Sequence, residues 1–391
     1  MRVCYYNRLL DDPWSSGVHA RSVMQGWRGA GHDVLCLPHD PGADGDLSYT
    51  PRYTWLQPDV RAYAQDVRAR VLAPRLASRY GAQVRAFRPH VLIVRRSRYD
   101  YGLDRLLRES GLPYMAEVNA LVSEETRVWA GEQPPPWEYE RERAFLLHAA
   151  GARCVTEKVR DGIVAAGVAP ERTAVIPNGV DPSLFSPDAR PDPETVAWAR
   201  GHSRVLGFTG SLSYTHDTAT LLSAAARVAR ESAGTGFLFV GPTLAALRAS
   251  AGWDAVLDDR VRCTGRVPHR TVPGHLVCAT ALWASFLNDY GSPLKLYEYM
   301  GLGKPVLIGG GGEQPAATVA SGDCGVVTPA QRPDELAAAA TTLLSLPDAE
   351  LQAQGARGRR WVTAHSTWAA VAAEFLDAAR RMVRAATAAS R

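Results

Sequence analysis

The sequence lacks the features that mark several large classes of protein. No apolar run approaches the roughly 18 residues of a membrane-spanning helix, and residues 1–6 are too short an apolar start for a signal peptide. The 44 basic and 40 acidic residues leave a net charge of +4 without a basic stripe, so nucleic acid is not an expected partner. We expect a cytoplasmic protein; a peripheral membrane contact and the oligomeric state stay open.

Cysteine is scarce, and several catalytic signatures are missing. The six cysteines are scattered, mostly in apolar runs, and none forms a C-x-x-C pair, which is typical of buried thiols in a reducing cytosol. The sequence contains no G-x-x-x-x-G-K-[ST], no G-x-S-x-G and no H-E-x-x-H, and residues 309–312 lack the spacing of a dinucleotide fingerprint. A P-loop enzyme, a serine hydrolase of the elbow type and a zinc protease are therefore not expected.

Short apolar runs alternate with helix-length amphipathic stretches along the chain. This pattern is typical of the α/β class, in which parallel sheets are covered by helices. The runs predict strands at residues 2–6, 33–37, 90–94, 114–118, 152–156, 173–176, 205–209, 237–240, 261–264, 281–285, 305–308 and 325–327.

The length of 391 residues exceeds what one hydrophobic core usually supports, so two domains are expected. A Pro/Asp-rich stretch at residues 177–193 predicts the linker between a domain at 1–182 and a domain at 195–365. The remaining segment, 366–391, carries an apolar helical stripe that includes Val371, Phe375 and Leu376. Because the second sheet is complete before this segment, we expect the helix to return to the first domain.

The most informative stretch is residues 292–306, S-P-L-K-L-Y-E-Y-M-G-L-G-K-P-V. Pro293 suits a helix entrance, and Lys295 and Glu298, three residues apart, share one helical face. A helix N-terminus can hold a diphosphate, and a carboxylate one turn further can accept hydrogen bonds from two ribose hydroxyls. K-x-x-E alone is more typical of a solvated pair on an amphipathic helix. The full fifteen residues favour nucleotide-sugar chemistry.

Three other strand ends carry candidate binding residues. Gly17 opens a helix after the first strand, where it permits close approach of a phosphate, although helix capping explains the same pattern. Gly210 and His216 follow the seventh strand, at the usual phosphate position of a doubly wound sheet; a surface histidine near a helix cap is the alternative. Glu117 and Asn119 end the fourth strand, where Asn119 either faces a crevice or ties down a loop.

Together these residues resemble the retaining, nucleotide-sugar-dependent glycosyltransferases of family four, and the resemblance covers nearly the whole chain. It rests on residues 15–20, 31–34, 177–181 with Phe185, 210–217 and above all 292–306. It implies the GT-B fold, with two facing Rossmann-like domains, the first binding the acceptor and the second binding the nucleotide sugar. The resemblance assigns ribose binding to Glu298. It assigns sugar or diphosphate contacts to Gly17, Asn119, Gly210, Ser211, Tyr290, Gly291, Ser292, Pro293 and Leu294.

This chain departs from the usual family pattern in two places. The first glutamate of the family's E-x7-E is replaced by Tyr290, and the usual Arg/Lys pair at the pyrophosphate is replaced by Ser211 and His216. These changes resemble a subgroup with S-P-x-K-x-x-E-Y-M-x-x-G-K-P-V, in which Lys295 supplies the missing positive charge. We therefore expect Lys295, His216 and Asn119 to act on the reacting groups.

By the same resemblance, the enzyme stabilises a leaving diphosphate, and the acceptor attacks from the face that the diphosphate leaves. The expected partners are a nucleoside-diphosphate sugar, UDP- or GDP-linked, as donor and a sugar, lipid-linked or secondary-metabolite acceptor. No cofactor or divalent metal is implied, since no D-x-D pair stands at a plausible strand end. Two alternatives stay open: a nucleotide-sugar 2-epimerase on the same fold, and a non-catalytic sugar-nucleotide-binding partner subunit.

Overall fold

The computed structural model describes residues 1–10, 12, 15–38, 58–129, 134–212 and 215–389. The chain divides into two compact units. Unit 1 consists of Met1–Pro177 and Trp368–Arg391, and unit 2 consists of Asn178–Thr367. Within the described residues, each unit contains one six-stranded sheet whose neighbouring strands are all parallel.

Unit 1 alternates strands and helices from its first residues. Its strands are β1 (Arg2–Asn7), β2 (Asp33–Leu37), β3 (Val91–Arg95), β4 (Tyr114–Val118), β5 (Gly151–Cys154) and β6 (Thr173–Val175). Its helices before the boundary are α1 (Ser15–Gly29), α2 (Pro58–Phe87), α3 (Tyr101–Ser110), α4 (Val122–Trp129), α5 (Pro136–His148) and α6 (Glu157–Ala165). The strand order is β2-β1-β3-β4-β5-β6.

Unit 2 repeats this architecture. Its strands are β7 (Arg204–Thr209), β8 (Thr235–Val240), β9 (Val261–Cys263), β10 (Ala281–Phe286), β11 (Val306–Gly310) and β12 (Gly325–Thr328). Its helices are α7 (Pro193–Ala199), α8 (Thr218–Glu231), α9 (Leu244–Arg248), α10 (Val272–Leu276), α11 (Leu294–Gly301), α12 (Glu313–Gly322), α13 (Pro333–Ser345) and α14 (Asp348–His365). The strand order is β12-β11-β10-β7-β8-β9.

Each sheet reverses its winding direction once. In unit 2 the chain runs outward from β7 to β9, returns to β10 beside β7, and then runs outward on the other side. In unit 1 the corresponding reversal lies between the neighbouring strands β1 and β3. In open α/β sheets, ligands bind at such reversals, outside the carboxyl ends of the strands. Every run predicted as a strand forms one, with ends shifted by at most two residues.

The Pro/Asp-rich stretch after the boundary is part of unit 2, so this unit begins before residue 195. Val180 and Phe185 are buried in its core. Val180 also forms a parallel bridge with Thr367, and its N–H donates to the carbonyl of Ser366 at 2.9 Å. The first and last segments of unit 2 therefore lie side by side.

The final helix, α15 (Trp368–Ala389), is in unit 1. The Trp27 indole N–H donates to the carbonyl of Ala372 at 2.8 Å, and its ring lies 5.7 Å from that of Phe375. Val371, Phe375 and Leu376 are buried against the unit 1 helices and strands. The apolar stripe thus finds its partner on α1 and the sheet of unit 1. None of the helices in the described ranges combines the length and the apolar character needed to cross a membrane.

Candidate functional site

The carboxyl ends of the two sheets each gather a cluster of polar side chains. In unit 2 we name the Lys295 cluster, which consists of Phe208, Gly210, His216, Phe286 and Lys295. In unit 1 we name the Glu117 cluster, which consists of Tyr5, His19, Glu117, Asn119 and Arg153. Both occupy the position at which open α/β sheets bind ligands.

The Lys295 cluster is built where β7 and β10 end. Lys295, in the first turn of α11, places its Nζ 2.5 Å from His216 Nε2 and 4.3 Å from the ring centroid of Phe208. Gly210 has a φ of 136°, and a Cβ there would stand 2.7 Å from Lys295 Nζ. A glycine is therefore needed at this turn for the backbone and for the lysine.

His216 is fixed by backbone contacts to the neighbouring strand. It forms an antiparallel bridge with Phe286, and the next residue, Asp217, donates its N–H to the carbonyl of Ser285 at 2.9 Å. Asp217 also caps α8 by accepting from the N–H of Thr220 at 3.1 Å. Two residues of this predicted segment, 213 and 214, lie outside the described residues.

In the Lys295 cluster, the pKa values of both Lys295 and His216 are lowered. Burial lowers the pKa of Lys295 to about 7, against the charge of Glu298, which raises it. Burial and then the neighbouring Lys295 lower the pKa of His216 well below its usual value, while a hydrogen bond to the backbone of Ser211 raises it. His216 is therefore neutral near pH 7 and accepts from Lys295. In the described part of the chain, no carboxylate forms a salt bridge with Lys295 within 4.0 Å. A buried ammonium group without such a partner favours an anion from outside.

The carboxylate of Glu298 contacts His269, although Glu298 shares a helix face with Lys295. Its Oε1 lies 2.7 Å from His269 Nε2, and the glutamate is buried whereas His269 is about a third exposed. His269 follows β9 and rests 5.2 Å from the ring of Phe185. Sequence reasoning missed this histidine; the available signal was its position after a strand at the same edge of the sheet.

The segment before α11 is held by the start of unit 2. The backbone N–H of Asn178 donates to Ser292 Oγ at 3.1 Å, and its side-chain amide donates to the Ser292 carbonyl at 2.6 Å. Ser292 Oγ also lies 3.0 Å from the hydroxyl of Tyr297. Sequence reasoning assigned Asn178 only to a linker turn, yet it orders one of the predicted donor-binding residues.

The remaining predicted residues of this segment are partly exposed, namely Tyr290, Gly291, Pro293 and Leu294. Pro293 is the N-cap of α11, and its side chain makes no capping hydrogen bond. The N-terminus of α11 therefore keeps N–H groups that no capping side chain satisfies, which is the property that binds anions.

The Glu117 cluster, in contrast, is closed on itself. Glu117 Oε1 contacts His19 Nε2, and Glu117 Oε2 accepts from the hydroxyl of Tyr5 at 2.7 Å. Arg153 Nη1 lies 3.7 Å from Glu117 Oε1 and donates to Asn119 Oδ1 at 3.2 Å. Burial opposes the ionisation of Glu117, but His19, Arg95 and Arg153 outweigh it and hold its pKa at about 2.

Asn119 and Gly17 thus have structural contacts of their own within unit 1. Asn119 is partly exposed and is oriented by Arg153, which also donates to the carbonyl of Pro177 at 3.0 Å. Gly17 is buried in α1, where a Cβ would stand 1.8 Å from the carbonyl oxygen of Asp12. This close approach by itself requires glycine at position 17.

The structure therefore brings Gly210, His216 and Lys295 together, and it places Ser292 and Glu298 on the same helix entrance. Asn119 and Gly17 belong to the other unit. Across the described ranges, no group of three or more His, Cys, Asp or Glu side chains is arranged to hold a metal ion.

Two family models match different parts of the chain. The model described as Glycosyltransferase Family 4 matches residues 16–184, and the model described as Glycosyl transferases group 1 matches residues 203–346. The second match contains β7 to β12 and the Lys295 cluster.

Two curated relatives are 30% identical to the chain over 217 residues. Both are described as a GDP-mannose-dependent alpha-(1-6)-phosphatidylinositol monomannoside mannosyltransferase, from two strains of Mycobacterium tuberculosis. The match covers 52% of this chain and 54% of theirs, so the chain spans about half the length of the curated relatives it matches.

Solved structures match over almost the whole chain. Sucrose-phosphate synthase from Thermosynechococcus elongatus has a TM-score of 0.72 at 19% identity and covers 98% of this chain and 100% of its own. Anabaena HepE in complex with UDP and glucose has a TM-score of 0.70 at 14% identity, with 96% and 98% covered. At these identities the likeness establishes the fold, which is GT-B. The chain thus folds into two Rossmann-like sheets and is similar to the Glycosyltransferase Family 4 model over residues 16–184 and to the Glycosyl transferases group 1 model over residues 203–346.

Proposed function

We propose that this chain is a retaining glycosyltransferase that moves a sugar from a nucleoside-diphosphate sugar to a sugar, lipid-linked or secondary-metabolite acceptor without a divalent metal. The observation that carries the proposal is the Lys295 cluster: a buried lysine amine, held by a neutral histidine, beside the N-terminus of α11. A diphosphate supplies the negative charge that this cluster lacks.

In the proposed reaction, Lys295 and the N–H groups of α11 bind the diphosphate. As the glycosidic bond breaks, negative charge builds up on the leaving phosphate, and groups already oriented toward it stabilise the transition state. His216 acts as a positioning residue, because it is neutral and accepts a hydrogen bond from Lys295. The acceptor hydroxyl then attacks from the face that the diphosphate leaves, and its proton passes to a phosphate oxygen.

Glu298 is proposed to bind the ribose through its carboxylate. His269 holds one of its oxygens, so the carboxylate is oriented before the donor arrives. Unit 2 is thereby the proposed donor-binding domain, and unit 1, with Asn119 at its sheet edge, the proposed acceptor-binding domain. This division follows from the location of Lys295 and Glu298, the groups proposed to hold the diphosphate and the ribose, in unit 2.

The donor is proposed to be a GDP- or UDP-linked hexose. The mannosyltransferases that share 30% identity with this chain are GDP-mannose-dependent by description, which makes GDP-mannose the first donor to test. HepE, a structure with the same fold, contains UDP and glucose.

A ligand screen tests the proposal directly. The full chain is heated with a panel of nucleoside diphosphates and nucleotide sugars, because a ligand that binds only the folded state raises the melting temperature. The stabilising donor is then incubated with candidate acceptors, and the anomeric configuration of the product is read by NMR. Slow release of free nucleoside diphosphate supports a transferase. Reversible change at C2 of the donor sugar would indicate the epimerase, and binding without turnover the non-catalytic subunit.

A further inference from the structure

Helix α11 begins differently from α7, α8 and α9 of the same unit. The side chains of Asp192, Asp217 and Thr243 cap those three helices by accepting from N–H groups in their first turns. The N-cap of α11 is Pro293, whose side chain makes no such contact. No capping side chain therefore uses the first N–H groups of α11, but the helix entrance also lacks the contact that usually fixes it.

A polar contact across the entrance of α11 takes the place of the missing cap. Ser292 directly precedes the N-cap, and Tyr297 is the fourth residue of the helix. The hydroxyl oxygens of these two residues lie 3.0 Å apart. Apolar side chains at these two positions often pack together and fix the angle at which the chain enters a helix. Here two hydroxyls make that contact, which we name the Ser292–Tyr297 staple.

Two other segments of unit 2 hold this staple. Asn178 donates to the Ser292 hydroxyl through its backbone N–H and to the Ser292 carbonyl through its side-chain amide. From the first turn of α12, Gln314 donates through Nε2 to the Tyr297 hydroxyl at 2.5 Å and to Thr318 Oγ1 at 2.9 Å. The staple is thus anchored both to the start of unit 2 and to the segment after β11.

The burial of the staple indicates what its hydroxyls contribute. Tyr297 is 0% exposed and Ser292 is 7% exposed. Phenylalanine would fill nearly the same volume as Tyr297, so the tyrosine adds only a hydroxyl with two polar partners, Ser292 and Gln314. A buried hydroxyl costs free energy unless such partners satisfy it. The Tyr297 hydroxyl therefore serves to orient the entrance of α11.

We propose that Tyr297 and Gln314 are positioning residues for the donor diphosphate, an inference that rests on the donor site proposed above. The staple sets the direction in which α11 leaves Pro293, and with it the direction of the first N–H groups and of the Lys295 side chain. It leaves those N–H groups to the ligand, whereas a capping side chain would occupy them. Groups that are oriented before the ligand arrives bind it without the cost of ordering them.

Calorimetric titration of the full chain with GDP-mannose and with UDP-glucose tests the staple. Tyr297→Phe should weaken binding of the donor by about tenfold, because the first turn of α11 is no longer held in place. A merely structural role would lower the fraction of folded protein, and so the binding stoichiometry, but not the affinity. Tyr114→Phe is the matched control: it removes a buried hydroxyl of unit 1 that donates to the Phe145 carbonyl at 2.5 Å, and it should keep the affinity of the parent chain.

A double variant shows whether the two hydroxyls act together. Ser292→Ala should also weaken binding, and Ser292→Ala with Tyr297→Phe should bind no more weakly than the weaker of the two single variants, because one contact is lost only once. Gln314→Leu should weaken binding by about threefold and should add nothing to Tyr297→Phe, because Gln314 acts through the Tyr297 hydroxyl. Losses that multiply in the double variants would contradict the staple.

The remaining outcomes separate this inference from the proposed function. If a donor binds the parent chain and Tyr297→Phe equally well, the staple has no positioning role, and the proposed donor site stands. Equal losses in Tyr297→Phe and Tyr114→Phe would reflect the removal of any buried hydroxyl and would likewise overturn the inference. If the parent chain binds neither GDP-mannose nor UDP-glucose, both the inference and the proposed donor are wrong.

Discussion

The Glu117 cluster and the Lys295 cluster occupy equivalent edges of two similar sheets, yet they differ in how their charge is balanced. Glu117 has His19, Tyr5 and Arg153 around it, all in unit 1 and all nearly inaccessible to solvent. Lys295 has a neutral histidine and two aromatic rings. Breaking a closed ionic cluster destabilises the fold, because a buried charge is left without its partner, whereas a buried amine that lacks a salt-bridge partner already weakens the fold and attracts an anion.

The same contrast appears in the direction of the pKa shifts. At Glu117 the contacts with His19, Arg95 and Arg153 outweigh burial, and the pKa falls to about 2, so the charged form is favoured. At Lys295 burial outweighs the charge of Glu298, and the pKa falls to about 7, so the neutral form is favoured. Glu117 therefore keeps its charge in the folded chain, whereas Lys295 would gain its full charge on binding an anion.

The largest expected effect is on the closed cluster. Glu117→Gln should lower the free energy of unfolding at pH 7 by about 3–5 kcal/mol, because it leaves Arg153 buried without its counter-charge. Its folded pKa lies below its usual 4.5, so this stability is present above pH 4.5 and is lost as the pH falls toward 2. Urea unfolding across that range measures it. Glu140→Gln, exposed on α5, is the control, and equal stability of the two variants would contradict a closed ionic cluster.

The open cluster should respond in the opposite direction. The pKa of Lys295 is about 7 in the folded chain and 10.5 as its usual value, so between these values the unfolded chain binds the extra proton and stability rises with pH. Lys295→Met should therefore stabilise the chain by up to about 4 kcal/mol at pH 6, with a gain that shrinks toward pH 10. Urea unfolding at several pH values checks the slope. A pH-independent difference would show that burial does not lower the pKa of Lys295.

Glu298 is a second buried carboxylate to compare with Glu117, because we propose that it binds a ligand, whereas Glu117 is paired within the fold. Glu298→Gln should weaken binding of the donor nucleotide by about ten- to a hundredfold, the size expected for charge-assisted hydrogen bonds to two hydroxyls. Calorimetric titration with the nucleotide found in the screen measures this change. Glu335→Gln, at a partly exposed position on α13, is the control. Unchanged affinity in a folded Glu298 variant would remove it from the donor site.

The smallest expected effect is the loss of turnover on changing His216, which we compare with the loss on changing Lys295. Lys295→Ala should lower turnover by at least about tenfold, as one oriented charge stabiliser is lost. His216→Ala should lower turnover less, because the imidazole is neutral near pH 7 and only holds Lys295. His216→Asn, which keeps a hydrogen-bond acceptor, should restore part of the activity, and the pH profiles of kcat distinguish positioning from proton transfer. Full activity of the Lys295 variant would leave the diphosphate to backbone N–H groups.

The sequence predicted the strands well, because each depends on a local pattern. The runs at 33–37 and 114–118 match β2 and β4 at both ends, since each is a short, mainly apolar stretch between turn residues, although β4 is buried throughout and β2 only at Cys36 and Leu37. The helix after Pro293 was also predicted, and it ends at Gly301 with Gly303 in the left-handed region. Contacts between residues that lie far apart in the chain were harder to predict.

Two contacts show why sequence patterns do not predict which distant residues meet. Asn178 lies 114 residues before Ser292, and Arg153 lies 134 residues after His19. No periodicity links such positions, because only the arrangement of strands in each sheet decides which loops meet at its edge. His269 was missed for the same reason: its partner Glu298 is reached through the order of β9, β8, β7 and β10, not through spacing along the chain.

By itself, the sequence determined the α/β class, the strands of both sheets and the residues that carry charge at their carboxyl ends. These follow from hydrophobic periodicity, glycine and proline positions, and residue chemistry, which act over a few neighbouring residues. Only the tertiary structure decided which charges are compensated. Glu117 meets three partners, whereas Lys295 meets a neutral histidine, because burial and contact depend on packing between segments far apart in the chain.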